Sequence, residues 1–107
     1  NGNWIKIPGG GVRIDVDPKG NAWVISKDGD VFRYVNNVWL SAPGVKANDI
    51  GIGADGSVFI TAQDSSVYRW NGQSWIKRDG KLSAITVDTQ GVPFGISDNK
   101  QIWMGYP

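Results

Sequence analysis

Residues 49–75 read DIGIGADGSVFITAQDSSVYRWNGQSW, and this stretch is the clearest copy of a unit that occurs three times in the chain. Tryptophans, turn glycines, aromatic residues three positions after each glycine, and β-branched–aromatic pairs recur in one register. They are Trp4, Trp39 and Trp75; Gly20, Gly56 and Gly91; Trp23, Phe59 and Phe94; Val31-Phe32, Val67-Tyr68 and Ile102-Trp103. The tryptophans lie 35 and 36 residues apart. A fixed period of this length is typical of a repeat architecture.

The same stretch predicts short strands joined by tight turns. Apolar residues alternate over 49–53, and the pairs Asp55-Gly56 and Asn71-Gly72 favour hairpin turns. Segments 58–62, 67–70 and 74–77 complete a set of four strands of about five residues, the usual strand length. No segment carries the apolar stripe of a helix. One repeat therefore predicts a four-stranded antiparallel sheet, and the fixed period favours a propeller blade over a sandwich or barrel.

Taken in order, the chain is predicted to be a single all-β domain over 1–107, with repeats at about 1–36, 37–71 and 72–107. The expected fold is a β-propeller segment of three four-stranded blades. Residues 3–7, around Trp4, are expected to form a spare strand of the fourth type, whereas the third blade, at 83–105, lacks one. Because propellers close with about four to eight blades, we expect a homodimer with a six-bladed ring. Residues 3–7 would complete the partner's third blade.

Composition excludes several function classes. The 107 residues carry 11 Lys and Arg against 10 acidic residues, a net charge of +1, so neither a nucleic-acid partner nor membrane insertion is expected. Histidine and cysteine are absent, which removes the commonest general base and the commonest metal ligands. We therefore expect no enzymatic activity, no cofactor and no metal. Asp15 and Asp17 are alternatively cation ligands in a central channel or, more simply, turn-capping carboxylates. The sequence specifies no compartment, cytosolic or secreted.

The repeat resembles the tectonin repeat over essentially the whole chain. The resemblance rests on Trp-Ile-Lys at 4–6 and 75–77, Ile-Asp-Val-Asp at 14–17, Val-Phe-Arg-Tyr at 31–34 and Val-Tyr-Arg-Trp at 67–70. It implies a β-propeller, and it implies recognition of saccharides, including bacterial or methylated sugars, because many proteins of this family are lectins. The third copy departs from the pattern: Met104 and Gly105 stand where the first two copies have arginine and an aromatic residue.

Aromatic residues are the predicted ligand contacts, because the C–H faces of sugars pack on aromatic rings while polar neighbours bind the hydroxyls. Folding the repeat places the end of strand three beside the start of strand four. The candidate site residues there are Tyr34, Asn36 and Trp39 in the first blade and Trp70, Asn71 and Trp75 in the second. Trp4 and Tyr106 form a possible third cluster. Two alternatives stay open: the tryptophans form the core between blades, or the ligand binds polar turns at 27–28, 63–64 and 98–99 on the opposite rim.

The expected function is a multivalent, non-enzymatic lectin module that binds glycans in shallow aromatic-lined sites at or between blades. The first alternative is a platform for protein interactions. The second is a half-propeller scaffold, excised or engineered, without strong ligand binding; the chain begins with Asn1 rather than Met, as a processed or excised chain would.

Overall fold

The computed structural model describes residues 2–105 and contains three antiparallel sheets in which neighbouring strands follow each other along the chain. The first sheet has β1 (Arg13–Val16), β2 (Ala22–Ile25), β3 (Val31–Val35) and β4 (Val38–Ser41). The second has β5 (Ala47–Ile52), β6 (Val58–Ala62), β7 (Ser66–Trp70) and β8 (Trp75–Lys81). The third has β9 (Ala84–Val87), β10 (Pro93–Ile96) and β11 (Ile102–Met104). No helix occurs among residues 2–105, and so none there meets the length and apolarity needed to cross a membrane.

The prediction of an all-β chain is confirmed. The prediction of three four-stranded blades is wrong within residues 2–105, because the third sheet has three strands; the expectation that the third blade lacks its fourth strand is confirmed there. The reason lies in how the sheets are assembled from the repeats. Each of the first two sheets takes its outer strand, β4 or β8, from the start of the following repeat. Among residues 2–105, no such segment follows β11.

The segment 3–7, predicted to be a strand, has no regular secondary structure in the single chain. Trp4 is 99% exposed, and Ile5 is exposed as well. An extended segment needs a neighbouring strand to bond its peptide groups. Within the described part of the chain, residues 3–7 have no such neighbour.

The recurring glycines are explained by the turn between the first two strands of each sheet. Gly20 donates its N–H to Asp17 O, and Gly56 donates to Gly53 O, both at 2.9 Å. Both glycines have positive φ, +85° and +91°. This left-handed backbone is costly for residues with a Cβ atom, so the turn requires glycine at this position.

The sheets pack face to face along their first strands, and the core lies in the two joints between them. Trp23 and Ile25 of the first sheet meet Ile50, Ile52 and Trp75 of the second. Phe59 and Val67 of the second sheet meet Ile85 of the third. The approach is close: a Cβ atom on Gly51 would lie 2.9 Å from Thr86 Cα. Small side chains on the inner strand therefore allow neighbouring sheets to touch.

Carboxylates also bridge the joints. Asp15 Oδ2 accepts a hydrogen bond from Ile52 N at 2.9 Å, and Asp49 Oδ2 accepts one from Ile85 N at 2.8 Å. Asp17 caps its own turn, accepting from Lys19 N and Asn21 N, both at 3.0 Å. The inner-strand aspartates thus bond main-chain N–H groups. In the described residues, no group of three acidic, histidine or cysteine side chains is arranged for a metal.

Candidate functional site

The predicted aromatic residues lie at one end of the sheets, where the β3–β4 and β7–β8 hairpins turn; we call this end the hairpin rim. Tyr34 and Trp39 are direct cross-strand partners, and their ring centroids are 4.6 Å apart. Trp70 and Trp75 are the equivalent pair, at 4.9 Å. A cross-strand pair on one sheet face brings its side chains into contact. The structure thus brings each predicted aromatic pair together.

The two asparagines shape the hairpin turns. Asn36 has φ +51° and Asn37 φ +66°, the left-handed pair that a two-residue hairpin turn of type I′ requires. Asn71 Oδ1 accepts hydrogen bonds from Gln73 N and Ser74 N, both at 2.8 Å. Asn36 and Asn71 are exposed. The carbonyl of Asn71 is therefore committed to its own turn.

Trp75 lies in the joint between the first and second sheets. It is 9% exposed, and its Nε1 donates a hydrogen bond to Ala42 O at 2.9 Å. Trp23 packs edge-on against Trp75 and against Trp70, with centroids 6.4 and 6.1 Å away. Trp75 therefore agrees with the alternative in which the tryptophans form the core between blades. Little of its surface is accessible to a ligand, whereas Trp70 is only partly buried.

Trp70 forms one edge of a shallow depression in the second sheet, with a volume of about 380 Å³. Its lining is Arg69, Trp70, Asn71, Ile76 and Arg78; we call this the second-sheet cleft. Arg69 Nη2 donates to Ser57 Oγ at 3.3 Å, and the guanidinium groups of Arg69 and Arg78 both lie 5.8 Å from the centroid of Phe59. Trp70 Nε1 is buried without a hydrogen-bond partner among the described residues. The cleft combines the exposed apolar side chain of Ile76 with two cationic groups and an amide.

Sequence reasoning missed Arg69, Ile76 and Arg78 as members of this cleft. The signal was present in the strand alternation. Arg69 pairs with Ile76, and Val67 pairs with Arg78, across the β7–β8 ladder. Residues two apart on a strand share a face, so Ile76 and Arg78 lie on the same face as Arg69.

The third sheet has no equivalent aromatic pair. Gly105 stands where Tyr34 and Trp70 stand, and a Cβ atom there would lie 3.0 Å from Pro93 Cγ. Trp4 is exposed, and Tyr106, the other residue of the possible third cluster, lies outside the described residues.

Side chains at the opposite rim are largely engaged with their own turns. Asp64 Oδ1 accepts a hydrogen bond from Ser66 N at 3.0 Å, which holds the pKa of this exposed carboxyl below its ordinary value. Ser65 Oγ bonds Asp98 Oδ2 at 3.3 Å, and Lys46 pairs with Asp30. The last two contacts tie one sheet to the next. In the turn between β10 and β11, Trp103 Nε1 donates a hydrogen bond to Ser97 Oγ at 3.4 Å, so one exposed indole does reach this rim.

The sequence model of the tectonin domain family matches residues 11–106. A search for similar curated proteins found no match.

Proposed function

This chain belongs to the tectonin domain family, and from that premise we propose that it is a non-enzymatic carbohydrate-binding module. Its ligand sites are shallow and lie at the hairpin rim, with the second-sheet cleft as the principal one. The family is lectin-like and is built from repeats, and the proposal assigns this chain the same general role.

The observation that carries the proposal is the composition of the second-sheet cleft. Ile76 offers an exposed apolar surface there, and Trp70 borders it at the end of the strand, with its ring turned to the other sheet face, toward Trp23. Sugar C–H faces pack on such surfaces, while polar groups at the edge bind hydroxyls. Arg69 and Asn71 stand at that edge, and both are exposed.

The arginines indicate which saccharides fit best. A guanidinium group presents a planar fork of donors that matches carboxylates and phosphates as well as pairs of hydroxyls. Arg69 and Arg78 both border the cleft. The proposed ligands are therefore glycans rich in hydroxyl groups or bearing an acidic substituent, such as those of bacterial surfaces. O-methylated sugars belong to the same test set, because an added methyl group enlarges the apolar face.

A glycan array that includes acidic bacterial saccharides and O-methylated sugars tests the proposal. Arg69→Gln should abolish most of the signal, because it removes the charge at the cleft while retaining much of the side chain. Lys19→Gln, which removes a cation from an exposed turn, should bind as the unaltered chain does. An empty array overturns the lectin function. Unaltered binding by Arg69→Gln keeps the function but moves the site.

Trp70→Ala is a poor first variant because Trp70 packs against Trp23 and Trp75. Its loss of binding would be confounded with loss of structure. Arg69 is a better first variant because its side chain is exposed. Since it also bonds Ser57 Oγ, the Tm of Arg69→Gln is measured beside its binding, and an unchanged Tm assigns a loss of signal to the ligand contact.

A further inference from the structure

The two ends of the row of sheets expose surfaces that are buried wherever the chain has a neighbouring sheet. Ile14, Ile50 and Ile85 occupy the same position in β1, β5 and β9. Ile50 and Ile85 are 5% and 6% exposed, but Ile14 is 66% exposed. Val16, the equivalent of Ile52, is exposed in the same way. The outer face of the first sheet therefore has the same apolar positions as the faces that are buried between the first and second sheets and between the second and third.

The third sheet carries the other half of such a joint. Val31, Val67 and Ile102 are equivalent, and while Val31 and Val67 are buried, Ile102 is 78% exposed. Ile96 is exposed beside it, and together with Ala84 and Thr86 these side chains line an apolar depression of about 360 Å³. In addition, β11 has no strand on its outer side within residues 2–105.

The end of the N-terminal segment, at Pro8, contacts the first sheet much as the residue after β4 contacts the second. Trp75 bonds Ala42 O, and Ala42 directly follows β4 of the sheet before it. Trp39, the equivalent of Trp75, donates its Nε1–H to Pro8 O at 2.8 Å. A tryptophan bond of the same kind thus holds Pro8, just after residues 3–7, against the first sheet, and Ala42, just after β4, against the second. Any sheet that covers Ile14 will meet this segment as its outer neighbour.

A cleft between the second and third sheets fits the missing strand. Cross-strand pairing of Trp39 with Tyr34, and of Trp75 with Trp70, places Trp4 opposite Gly105. Gly105 has no side chain, and it borders a cleft of about 280 Å³; we call this the joint cleft. Its other walls include Phe59, Val67, Arg78 and Leu82. Phe59 is the equivalent of Trp23, against which Trp75 packs.

We propose that these surfaces bind a second copy of this chain. In the complex, the third sheet of one copy covers Ile14 and Val16 of the other, residues 3–7 pair with the partner's β11, and Trp4 enters the partner's joint cleft. Two such contacts, related by a two-fold axis, close a ring of six sheets, within the range of four to eight that propellers adopt. The contact also pairs the open edge of β11 in each copy, which otherwise promotes aggregation.

A pair of proline variants tests the strand pairing. Ala42 N donates to Val31 O, and hydrogen-bonded pairs alternate along antiparallel strands. In the repeat register, Ile5 corresponds to Leu40 and Met104 to Arg33, which face each other across β3 and β4. In the proposed complex, Ile5 N therefore donates to the main-chain oxygen of the partner's Met104, whereas Lys6 N points away from β11. Proline is tolerated only where its missing N–H would face solvent.

Light scattering and analytical ultracentrifugation should give twice the chain mass for the unaltered protein at micromolar concentration and for Lys6→Pro. Ile5→Pro and Trp4→Ala should weaken dimerisation by about 100-fold or more, the loss expected for the central contact of an interface. A folded monomer at about 100 µM overturns the proposal and would mean that a second copy does not cover the outer faces of the first and third sheets. Equal effects of Ile5→Pro and Lys6→Pro overturn the register.

A designed disulfide distinguishes exchange between copies from closure within one chain. The sequence has no cysteine. Lys6 and Trp103 face each other at a non-hydrogen-bonded position of the proposed pairing, where the Cα separation of about 4.5 Å suits a disulfide. Oxidised Lys6→Cys/Trp103→Cys should migrate as a covalent dimer, whereas Lys6→Cys/Gln101→Cys, out of register, should cross-link far less. A cross-linked monomer would mean that the strand folds back on its own third sheet, and it overturns the exchange.

Discussion

The indole nitrogen of Trp75 bonds the main-chain oxygen of Ala42 at 2.9 Å, and this buried hydrogen bond crosses from the second sheet to the first. Neighbouring Trp70 lies in the same aromatic cluster, but its buried Nε1 has no partner among the described residues. The two tryptophans therefore differ in hydrogen bonding while sharing much of their packing.

This difference predicts unequal contributions of the two indole N–H groups to stability. Trp75→Phe keeps an aromatic ring but leaves Ala42 O unpaired, which typically costs about 1–3 kcal/mol. Trp70→Phe removes a donor that is already unpaired, so its free energy of unfolding should fall by less. Urea denaturation of both variants measures the difference. A larger loss in Trp70→Phe would mean that ring volume, not the hydrogen bond, dominates this joint.

The close approach of β5 and β9 predicts that Gly51→Ala is destabilising. Its Cβ atom would lie 2.9 Å from Thr86 Cα and 3.1 Å from Ile85 O. Because these are main-chain atoms, the sheets must separate, and overpacking of this kind costs about 1–3 kcal/mol. Gly10→Ala is the control, since it has no atom within 4 Å and no positive φ. Thermal unfolding should show a lower Tm for Gly51→Ala alone; equal Tm values would contradict the tight joint.

Asp17 predicts a pH-dependent contribution to stability. Burial raises the pKa of this carboxyl, but hydrogen bonds from Asn21 N, Trp23 Nε1 and Lys19 N outweigh it, so the pKa lies below its ordinary value. A lowered pKa in the folded state means stability that is present above the unfolded pKa of about 3.9 and is lost as the pH falls through the folded value.

The unaltered chain should therefore be more stable than Asp17→Asn at pH 7, by an amount on the order of 1 kcal/mol. The gap should narrow as the pH falls below about 4. Urea titrations at several pH values measure it, with Asp28→Asn, in an exposed turn, as the control. A gap that does not change with pH would mean that the charge of Asp17 is unimportant.

The lectin proposal predicts that binding depends strongly on ligand density. A shallow site should bind a free monosaccharide with a Kd near the millimolar range, about 4 kcal/mol. A two-fold ring would display the first- and second-sheet sites of both copies on one side, so dense glycan surfaces should be bound about 10²- to 10⁴-fold more tightly. Calorimetry with free sugar and agglutination of glycan-coated beads measure the two values.

Ile5→Pro separates the two proposals in the same assays. It should reduce agglutination much more than the affinity for free sugar, because Arg69, Asn71 and Ile76 of the second-sheet cleft do not line the joint cleft and only Arg78 borders both. Loss of free-sugar binding in this variant would place the glycan site at the interface instead.

Local features of the fold were predictable from the sequence because they depend on a few adjacent residues. The Asp17–Gly20 turn requires left-handed backbone at its last position, and only glycine adopts this readily. The pairing of Tyr34 with Trp39 follows from the hairpin between them. Turn chemistry and strand register thus predicted the sheets and placed the aromatic pairs.

Contacts between sheets were not predictable in the same way. The bonds from Ile52 N to Asp15 and from Ile85 N to Asp49 depend on the spacing and twist of separate sheets. For the same reason, the period identified Trp75 and Trp39 as equivalents without showing that Trp75 would be buried in a joint. Side-chain direction at a hairpin end follows from tertiary packing, which the repeat period does not encode.

The first two sheets take their outer strands from the following repeat, and this affects the order in which the sheets are completed during synthesis. The first sheet lacks β4 until residues 38–41 have emerged, and the second lacks β8 until residues 75–81 have done so. At about 5–20 residues per second, each nascent sheet waits with an open edge for the next stretch of chain. During synthesis, the most recently made of these sheets therefore has an unpaired edge until the start of the next repeat has emerged from the ribosome.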